Sequence, residues 1–397
     1  MTPAARVQAA IDILDDVIAA ARDGGPAADT LIARYFRTRR YAGSKDRRAV
    51  RDLLYRAIRR SGDRPGSGRA AIVGLAREDV ALAALFDGST HGPAPLSDDE
   101  EGTSASVIPA WINNLLVDPV TDAEQKALLA RASLDLRVNR LKGDMATARA
   151  ALPEAEPVSG FPDALRLPEG FAIEGAPAWE SGLVEVQDAG SQAIAAACDV
   201  RPGMTVVDLC AGAGGKTLAL AAAMAGTGRL IAADTIRDRL NRLPPRAQRA
   251  GAGFIETLLL DQGREGERLA ALAGQADVVL VDAPCSGTGT WRRNPEARWR
   301  LNPARLARLV AEQARILDLA APLLASGGRL VYAVCALTVE EGPAQIAAFL
   351  ARHDAFTPLP LGNPPGSSPG RTLGNGIVLT PAHDGTDGFF FAALQKA

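Results

Sequence analysis

The 397-residue sequence predicts an α/β protein: a mostly parallel, doubly wound sheet preceded by a small all-helical domain. Three observations carry this prediction. From about residue 186 onward, short apolar runs rich in Val and Leu alternate with helical segments, the pattern of strand–helix–strand units. The first 88 residues show helical spacing of apolar side chains and no strand pattern. Between them, residues 89–105 are rich in Gly, Ser, Pro and acids and read as a linker.

Each element follows from local pattern. Val7, Ile11, Ile13, Leu14, Val17 and Ile18 place a helix over 5–22, and Gly24-Gly25-Pro26 breaks it. Residues 28–40 and 44–60 continue as helices, the second opening on Ser44 with Asp46 in its first turn. The stretch Gly62–Gly68 is a break, and Leu75–Phe86 is a further helix. Residues 106–185 read as an α+β connecting domain, with a short helix around Trp111 and Leu115, a strand at 136–141 and Pro-rich turns. Residues 186–397 hold strands at 204–209, 229–233, 255–260, 277–282 and 328–334, a long helix at 303–324, and a final hairpin at 376–380 and 388–394. Pro244-Pro245 is expected to shorten or kink the helix after Asp234.

Composition bounds the function. Hydrophobic content of 47% suffices for a sizeable core. No apolar run reaches the roughly 18–20 residues that span a bilayer. Asp12, Asp15 and Asp16 interrupt the first apolar segment, so no signal peptide is expected and a cytoplasmic location is the default. Four cysteines and three histidines without close ligand spacing argue against a metal site, and no disulfide framework is expected. Net charge is only −2, yet residues 34–60 hold eleven basic side chains against Asp46 and Asp52. Arg292, Arg293, Arg298, Arg300, Arg305 and Arg308 form a second cluster. Such stripes can neutralise phosphates; a solvated helix face is the alternative reading of either one alone.

Two cysteines close two of the apolar runs: Cys285 in Val-Asp-Ala-Pro-Cys-Ser-Gly-Thr-Gly (281–289) and Cys335 in Leu-Val-Tyr-Ala-Val-Cys (330–335). Carboxyl ends of parallel strands face the ligand crevice, so both thiols are expected at one site beside Asp282. Two convergent thiols next to an acid suit attack on an electron-poor ring carbon and its later release. Cys198, in an Ala-rich segment, reads as a small buried hydrophobe.

A glycine loop, Asp208-Leu209-Cys210-Ala211-Gly212-Ala213-Gly214-Gly215-Lys216-Thr217, follows the first strand of this region. Glycines let a ligand approach the backbone, and the following helix offers free amides. A phosphate-binding P-loop needs Gly where Cys210 stands, and a dinucleotide fingerprint needs Gly where Thr217 stands. The third reading is a loop for S-adenosylmethionine. Asp234 ends the second strand, where a carboxylate can accept both ribose hydroxyls, as it can for a nicotinamide cofactor. Asp261 ends the third strand, where it can meet an adenine amino group. Asp282 ends the fourth. A single acid at a strand end is commonly a turn or helix cap. The candidate cofactor residues are thus Cys210, Ala211, Gly212, Ala213, Gly214, Gly215, Lys216, Asp234, Asp261 and Asp282.

These motifs, with Arg292-Arg293-Asn294-Pro295-Glu296, Glu340-Glu341 and Gly385-Thr386-Asp387-Gly388-Phe389-Phe390, occur in an order that resembles the Nol1/Nop2/Sun family of RNA 5-methylcytosine methyltransferases. Leu136-Arg137-Val138-Asn139 and Val186-Gln187-Asp188-Ala189-Gly190-Ser191-Gln192 resemble the same family's leading motifs, so the likeness covers about residues 106–397. The N-terminal region, with Gly43-Ser44-Lys45-Asp46-Arg47-Arg48, resembles the NusB-like RNA-binding domain of the bacterial RsmB type. The resemblance implies a Rossmann-like catalytic domain, S-adenosylmethionine as cofactor and RNA, 16S rRNA in particular, as partner, in single-stranded or loop form. It makes Cys335 the nucleophile and gives Cys285 a part in product release. Asp282 would hold the N3 and amino edge of cytosine, and Lys216 would orient the loop and Asp282. A monomer is expected. The family usually has Pro where Ala213 stands and Thr-Cys-Ser where Val334-Cys335-Ala336 stands, so two hydroxyls beside the nucleophile are missing.

Three other readings compete. A DNA 5-methylcytosine methyltransferase would use Cys285, of the Pro-Cys motif, as nucleophile. A nicotinamide oxidoreductase would leave the cysteine pair without a role. A non-catalytic RNA-binding assembly factor would bind RNA without turnover.

Overall fold

A computed structural model describes residues 1–361 and 370–397. The chain divides into two compact units. One comprises Met1–Leu116, Thr121–Ala130 and Thr290–Pro303; the other comprises Val117–Val120, Arg131–Gly289 and Ala304–Ala397. The helical unit therefore draws on three stretches and extends past residues 1–88. Among the described residues no helix is long and apolar enough to cross a membrane.

The helical unit contains helices Pro3–Asp23, Ala28–Arg37, Ser44–Arg60, Gly68–Ala76 and Val80–Ala83. Ile13, Leu14, Val17, Leu54, Ile58 and Ile72 fill its core. Gly68 allows close packing: a Cβ there would lie 2.2 Å from the Ile11 carbonyl oxygen. The cap expected around Ser44 forms one residue earlier, with the Gly43 N–H donating to Asp46 at 3.1 Å. The single helix expected over Leu75–Phe86 is two short ones. The Asp79 side chain accepts from Leu82 N at 3.1 Å and restarts the chain as a new helix.

Part of the second arginine cluster, expected as a phosphate-binding stripe, is turned inward. Arg298 is 1% exposed. Its guanidinium donates to the carbonyls of Val107, Ile58, Arg59 and Ser61, the last three at the C-terminal end of helix Ser44–Arg60. A cation there satisfies orphan carbonyls and opposes the helix dipole. Burial pulls the Arg298 pKa down only to about 9, so it stays charged at neutral pH. Trp299 Nε1 donates to the Ser61 carbonyl at 2.8 Å, and Arg300 donates to those of Gly25 and Pro26. Glu296 accepts from the Ala28 N–H at 3.1 Å, capping the start of the second helix. The segment 295–300 is a clip for helix ends. Arg293, Arg305 and Arg308 are exposed.

The second unit holds two sheets. Strands β1 (Leu134–Val138), β2 (Glu156–Pro157), β3 (Ala164–Leu167) and β4 (Val184–Val186) form an antiparallel sheet in the order β2-β3-β1-β4. The strand expected over 136–141 ends at Val138, because Asn139 turns to donate to the carbonyls of Gly182 and Ala250. The larger sheet contains β5 (Thr205–Asp208), β6 (Arg229–Asp234), β7 (Glu256–Leu259), β8 (Ala276–Asp282), β9 (Leu324–Val334), β10 (Phe356–Leu359), β11 (Arg371–Leu373), β12 (Gly376–Leu379) and β13 (Phe389–Lys396). Its order is β11-β12-β13-β9-β8-β5-β6-β7, with β10 also paired to β13. The pairs β7–β6, β6–β5, β5–β8 and β8–β9 are parallel. The hairpin β12–β13 adds antiparallel strands beside β9. Val278–Val281 are all buried, as an apolar run covered on both faces must be. Helices Ala189–Ala197, Gly215–Ala223 and Leu243–Ala250 contribute to one apolar layer, and Pro303–Ala320 and Pro343–Arg352 to the other. Pro244 and Pro245 fall in the first turn of Leu243–Ala250, after the four-residue helix Arg237–Leu240, so the expected helix is broken there.

Replacing Arg298 with Leu should strip the helix-end carbonyls of their donor. Urea denaturation should show a loss of about 2–3 kcal/mol.

Candidate active site

Strands β8 and β9 run parallel with Asp282 opposite Ala333, and Ala283 N donates to the Ala333 carbonyl at 2.9 Å. Their exit loops therefore leave the sheet side by side. Cys285 Sγ and Cys335 Sγ meet at 3.2 Å. The hydrogen bond to Cys335 and burial push the Cys285 thiol pKa well up. The loop Gly287-Thr288-Gly289 fixes the end of β9: Gly289 N donates to the Cys335 carbonyl at 3.0 Å and Leu337 N donates to Thr288 Oγ1 at 2.7 Å. Gly388 N donates in turn to the Gly289 carbonyl at 2.8 Å, and a Cβ on Gly289 would lie 2.0 Å from the Gly388 oxygen. That approach explains why glycine stands at both places and brings the last sequence motif to the thiols. Val334 and Ala336 are fully buried.

Lys216 opens helix Gly215–Ala223, and its Nζ lies 2.6 Å from Asp282 Oδ2. Burial pulls the ammonium pKa down, but the charge and hydrogen bond of Asp282, with a smaller contribution from Cys335, outweigh it, so the pKa is raised. The nitrogen also sits 5.9 Å from the centre of the Phe389 ring. Cys285, Cys335, Asp282 and Lys216 are thus gathered at one place.

The glycine loop hangs between three strands. Leu209 N donates to the Leu280 carbonyl and Ala211 N to that of Ala233, both at 2.9 Å. Gly214 adopts φ +83° and packs so closely that a Cβ would lie 2.2 Å from Leu243 Cδ1. Cβ positions on Gly212 and Gly215 meet nothing within 4 Å, so these two glycines present open backbone. Arg246 holds the Ala213 carbonyl at 2.6 Å, and burial pushes the Cys210 thiol pKa well up. Asp234 accepts from Gly212 N at 2.8 Å and Ile236 N at 2.7 Å, which ties the end of β6 to the loop. Asp261 lies just beyond β7, exposed, with Arg268 Nε at 3.7 Å as its ion-pair partner. Cys198 is fully buried, its thiol turned to the Ile194 carbonyl at 3.6 Å. Among the described residues no group of three His, Cys, Asp or Glu side chains is arranged to hold a metal. A cavity of about 470 Å³ lined by Arg137, Phe161, Gln192 and Phe391 contains none of these side chains.

Two further acids belong to this region. Asp208, 1% exposed, accepts from Thr217 Oγ1 at 2.7 Å, while its Oδ1 is buried without a hydrogen-bond partner. Its place at the end of β5, in line with the other strand-terminal acids, is a signal that could have singled it out. Glu341, fully buried, accepts from Ser286 N, Ser286 Oγ, Thr338 Oγ1 and Gln313 Nε2 at 2.5–3.0 Å. Its sequence signal is only membership of the Glu340-Glu341 motif.

Burial raises the Asp208 pKa to about 7. The folded chain holds this proton more tightly than the unfolded chain, so the stability it contributes is fully present below about pH 4 and is lost as pH rises through about 7. Comparing wild type with Asp208→Asn by urea denaturation should show wild type losing a few kcal/mol relative to the variant over that window, roughly. A flat difference would contradict the raised pKa.

Residues 195–395 match the family model described as 16S rRNA methyltransferase RsmB/F. The probable ribosomal RNA small subunit methyltransferase B of Synechocystis is 36% identical over 300 residues, 73% of this chain and 67% of that relative. The ribosomal RNA small subunit methyltransferase B of Thermus thermophilus is 41% identical over 54% of this chain and half of its own length. The solved structure of PH0851 shares the fold with a TM-score of 0.77 over 98% of this chain and 99% of its own, at 23% identity. NSun6 from Pyrococcus horikoshii, solved with SFG, covers 72% of this chain and 96% of its own at a TM-score of 0.62 and 19% identity. The catalytic unit is a Rossmann-like methyltransferase fold, and the chain belongs to the RsmB/F family of 16S rRNA methyltransferases, the RsmB type of Nol1/Nop2/Sun enzymes.

Proposed function

We propose that this chain methylates carbon 5 of a cytosine in 16S rRNA through a thiol adduct at carbon 6. The observation that carries the reading is the 3.2 Å contact between Cys285 and Cys335 beside the Lys216–Asp282 ion pair. Carbon 5 of cytosine is a poor nucleophile. Addition of the Cys335 sulfur to carbon 6 makes it enamine-like, which splits one hard step into easier ones. Asp282, oriented by Lys216, takes the N3 and amino edge and stabilises the charge that develops on the ring. Cys285 assists loss of the carbon 5 proton; the carbon 6–sulfur bond then breaks and frees Cys335.

S-adenosylmethionine, when bound, supplies the methyl group. The open backbone at Gly212 and Gly215 and the free amides at the start of helix Gly215–Ala223 fit such a cofactor, as does the unpartnered Oδ1 of Asp208. Asp234 and Asp261 stand at adjacent strand ends, where the ribose hydroxyls and adenine amino group would fall. SFG in the NSun6 structure supports the same class of ligand.

The helical unit is the proposed NusB-like RNA-binding part. Arg34, Arg37, Arg40, Lys45 and Arg48 are exposed on it, and Tyr41 between two of its helices is 72% exposed. Its partner is RNA in single-stranded or loop form, because the target base must leave any stack at a cost of a few kcal/mol, roughly.

With radiolabelled S-adenosylmethionine and 16S rRNA, wild type should label the RNA and Cys335→Ala should not. Cys285→Ala should trap a protein–RNA adduct visible on a denaturing gel. Label transfer by Cys335→Ala, or an adduct through Cys285, reverses the two roles. Wild type that binds RNA and never labels it supports the assembly-factor reading. RNA affinity should fall with salt, and Arg37→Ala with Arg40→Ala should each reduce the slope of log K against log salt by about 1.

A further inference from the structure

Thr-Cys-Ser, usual for this family around the nucleophile, is replaced here by Val334-Cys335-Ala336, and both flanking side chains are fully buried without a hydroxyl to offer. Besides the contacts of Gly289 and Thr288 with the end of β9, a set of polar contacts between the two thiol loops converges on one carboxylate. Glu341 Oε1 accepts from Ser286 N at 2.7 Å and Gln313 Nε2 at 3.0 Å. Its Oε2 accepts from Ser286 Oγ at 2.5 Å and Thr338 Oγ1 at 2.8 Å. Ser286 follows Cys285 directly, and Thr338 stands three residues after Cys335. Gln313 Nε2 also donates to the carbonyl of Pro284, the residue before Cys285, at 3.0 Å. The Tyr332 hydroxyl, on β9, donates to the Glu341 carbonyl at 2.8 Å and holds the acid's own backbone.

One buried group therefore ties the segment after Cys285 to the segment after Cys335. Four donors saturate its carboxylate, and none of them is a reacting atom, so its office is to fix positions. We propose that Glu341 is the positioning residue that holds Cys285 and Cys335 in mutual contact. The proposal rests on the reading that this cysteine pair carries the methyl transfer, but the thiol contact can be tested without RNA or cofactor.

The test compares the full chain as wild type, Glu341→Ala, Glu341→Gln and Ser286→Ala. Diamide oxidises neighbouring thiols: two S–H groups give up two protons and two electrons to its N=N bond and form one S–S bond. The rate of the Cys285–Cys335 link, followed by mass spectrometry after alkylation, reports how often the sulfurs meet. In Glu341→Ala the link should form about tenfold slower and kcat for methyl transfer should fall about a hundredfold, with KM for S-adenosylmethionine within about twofold. Glu341→Gln should stay close to wild type. Its amide oxygen still accepts from Ser286 N–H, and its NH₂ can donate to the two hydroxyls, which rotate to accept. Wild-type linking and kcat in Glu341→Ala would overturn the proposal. So would Glu341→Gln with wild-type linking and the kcat of Glu341→Ala, because the charge itself would then be required. Should Glu341→Ala fail to fold, Ser286→Ala decides: slower linking with lower kcat supports the clamp, and wild-type values for both overturn it. A wild type that never methylates RNA defeats the functional reading, while the linking rates still judge the clamp.

Discussion

Everything at the candidate site depends on the parallel pairing of β8 with β9. The register that sets Asp282 opposite Ala333 fixes where both strands stop. Two residues beyond Ala333 is Cys335; three beyond Asp282 is Cys285. Slipping this pairing by one residue would turn each inward side chain to the other face of the sheet and separate the thiols. Register is therefore enforced by burial. Val279, Leu280, Val281, Val331 and Tyr332 are all sealed on both faces. Burying a side chain of this size contributes about 1.5–3 kcal/mol, more than a single hydrogen bond at the loops supplies.

Upon that frame the polar groups divide into two tasks. Lys216–Asp282 is a charged pair held at 2.6 Å, with Asp282 still 30% exposed at its side chain. An ion pair open on one side fixes the direction of the acid without sealing it away. Glu341 is sealed, and acts on loop geometry. Partial exposure thus separates groups that can meet a substrate from groups that shape the site.

The parallel strands are legible in the sequence because an apolar run of Val, Leu and Ile bounded by Gly, Pro and Asp has few other destinations. The glycine loop and the Cys285–Cys335 pairing follow from the same runs, since strand ends in such a sheet share one edge. Less visible were the features that depend on distant partners. Arg298 looks like a surface cation from its neighbours, but its four carbonyl acceptors include three more than 200 residues away in the chain. Nothing local distinguishes a phosphate-binding arginine from one that caps a helix. Likewise the break at Asp79 is a local cap overriding a continuous helical pattern, and the end of β1 is set by Asn139 bonding to Ala250, 111 residues on. Glu341 was visible only as part of a motif, because Ser286 and Gln313, which give it a role, lie far from it in sequence.

The substitutions at 334 and 336 bring these points together. A hydroxyl on a fully buried strand end needs a partner, and an unpaired one costs about 1–3 kcal/mol. Val334 and Ala336 avoid that requirement and strengthen the apolar seal around β9. The backbone they flank still has to be held, and it is held by donors and acceptors from the neighbouring loop: Gly289 on the Cys335 carbonyl and Thr288 on Leu337 N. Polarity has not been removed from the site. It lies one loop away, on Thr288, Ser286 and Glu341, so the β9 end can be wholly apolar while the cysteine at its tip remains fixed from the side.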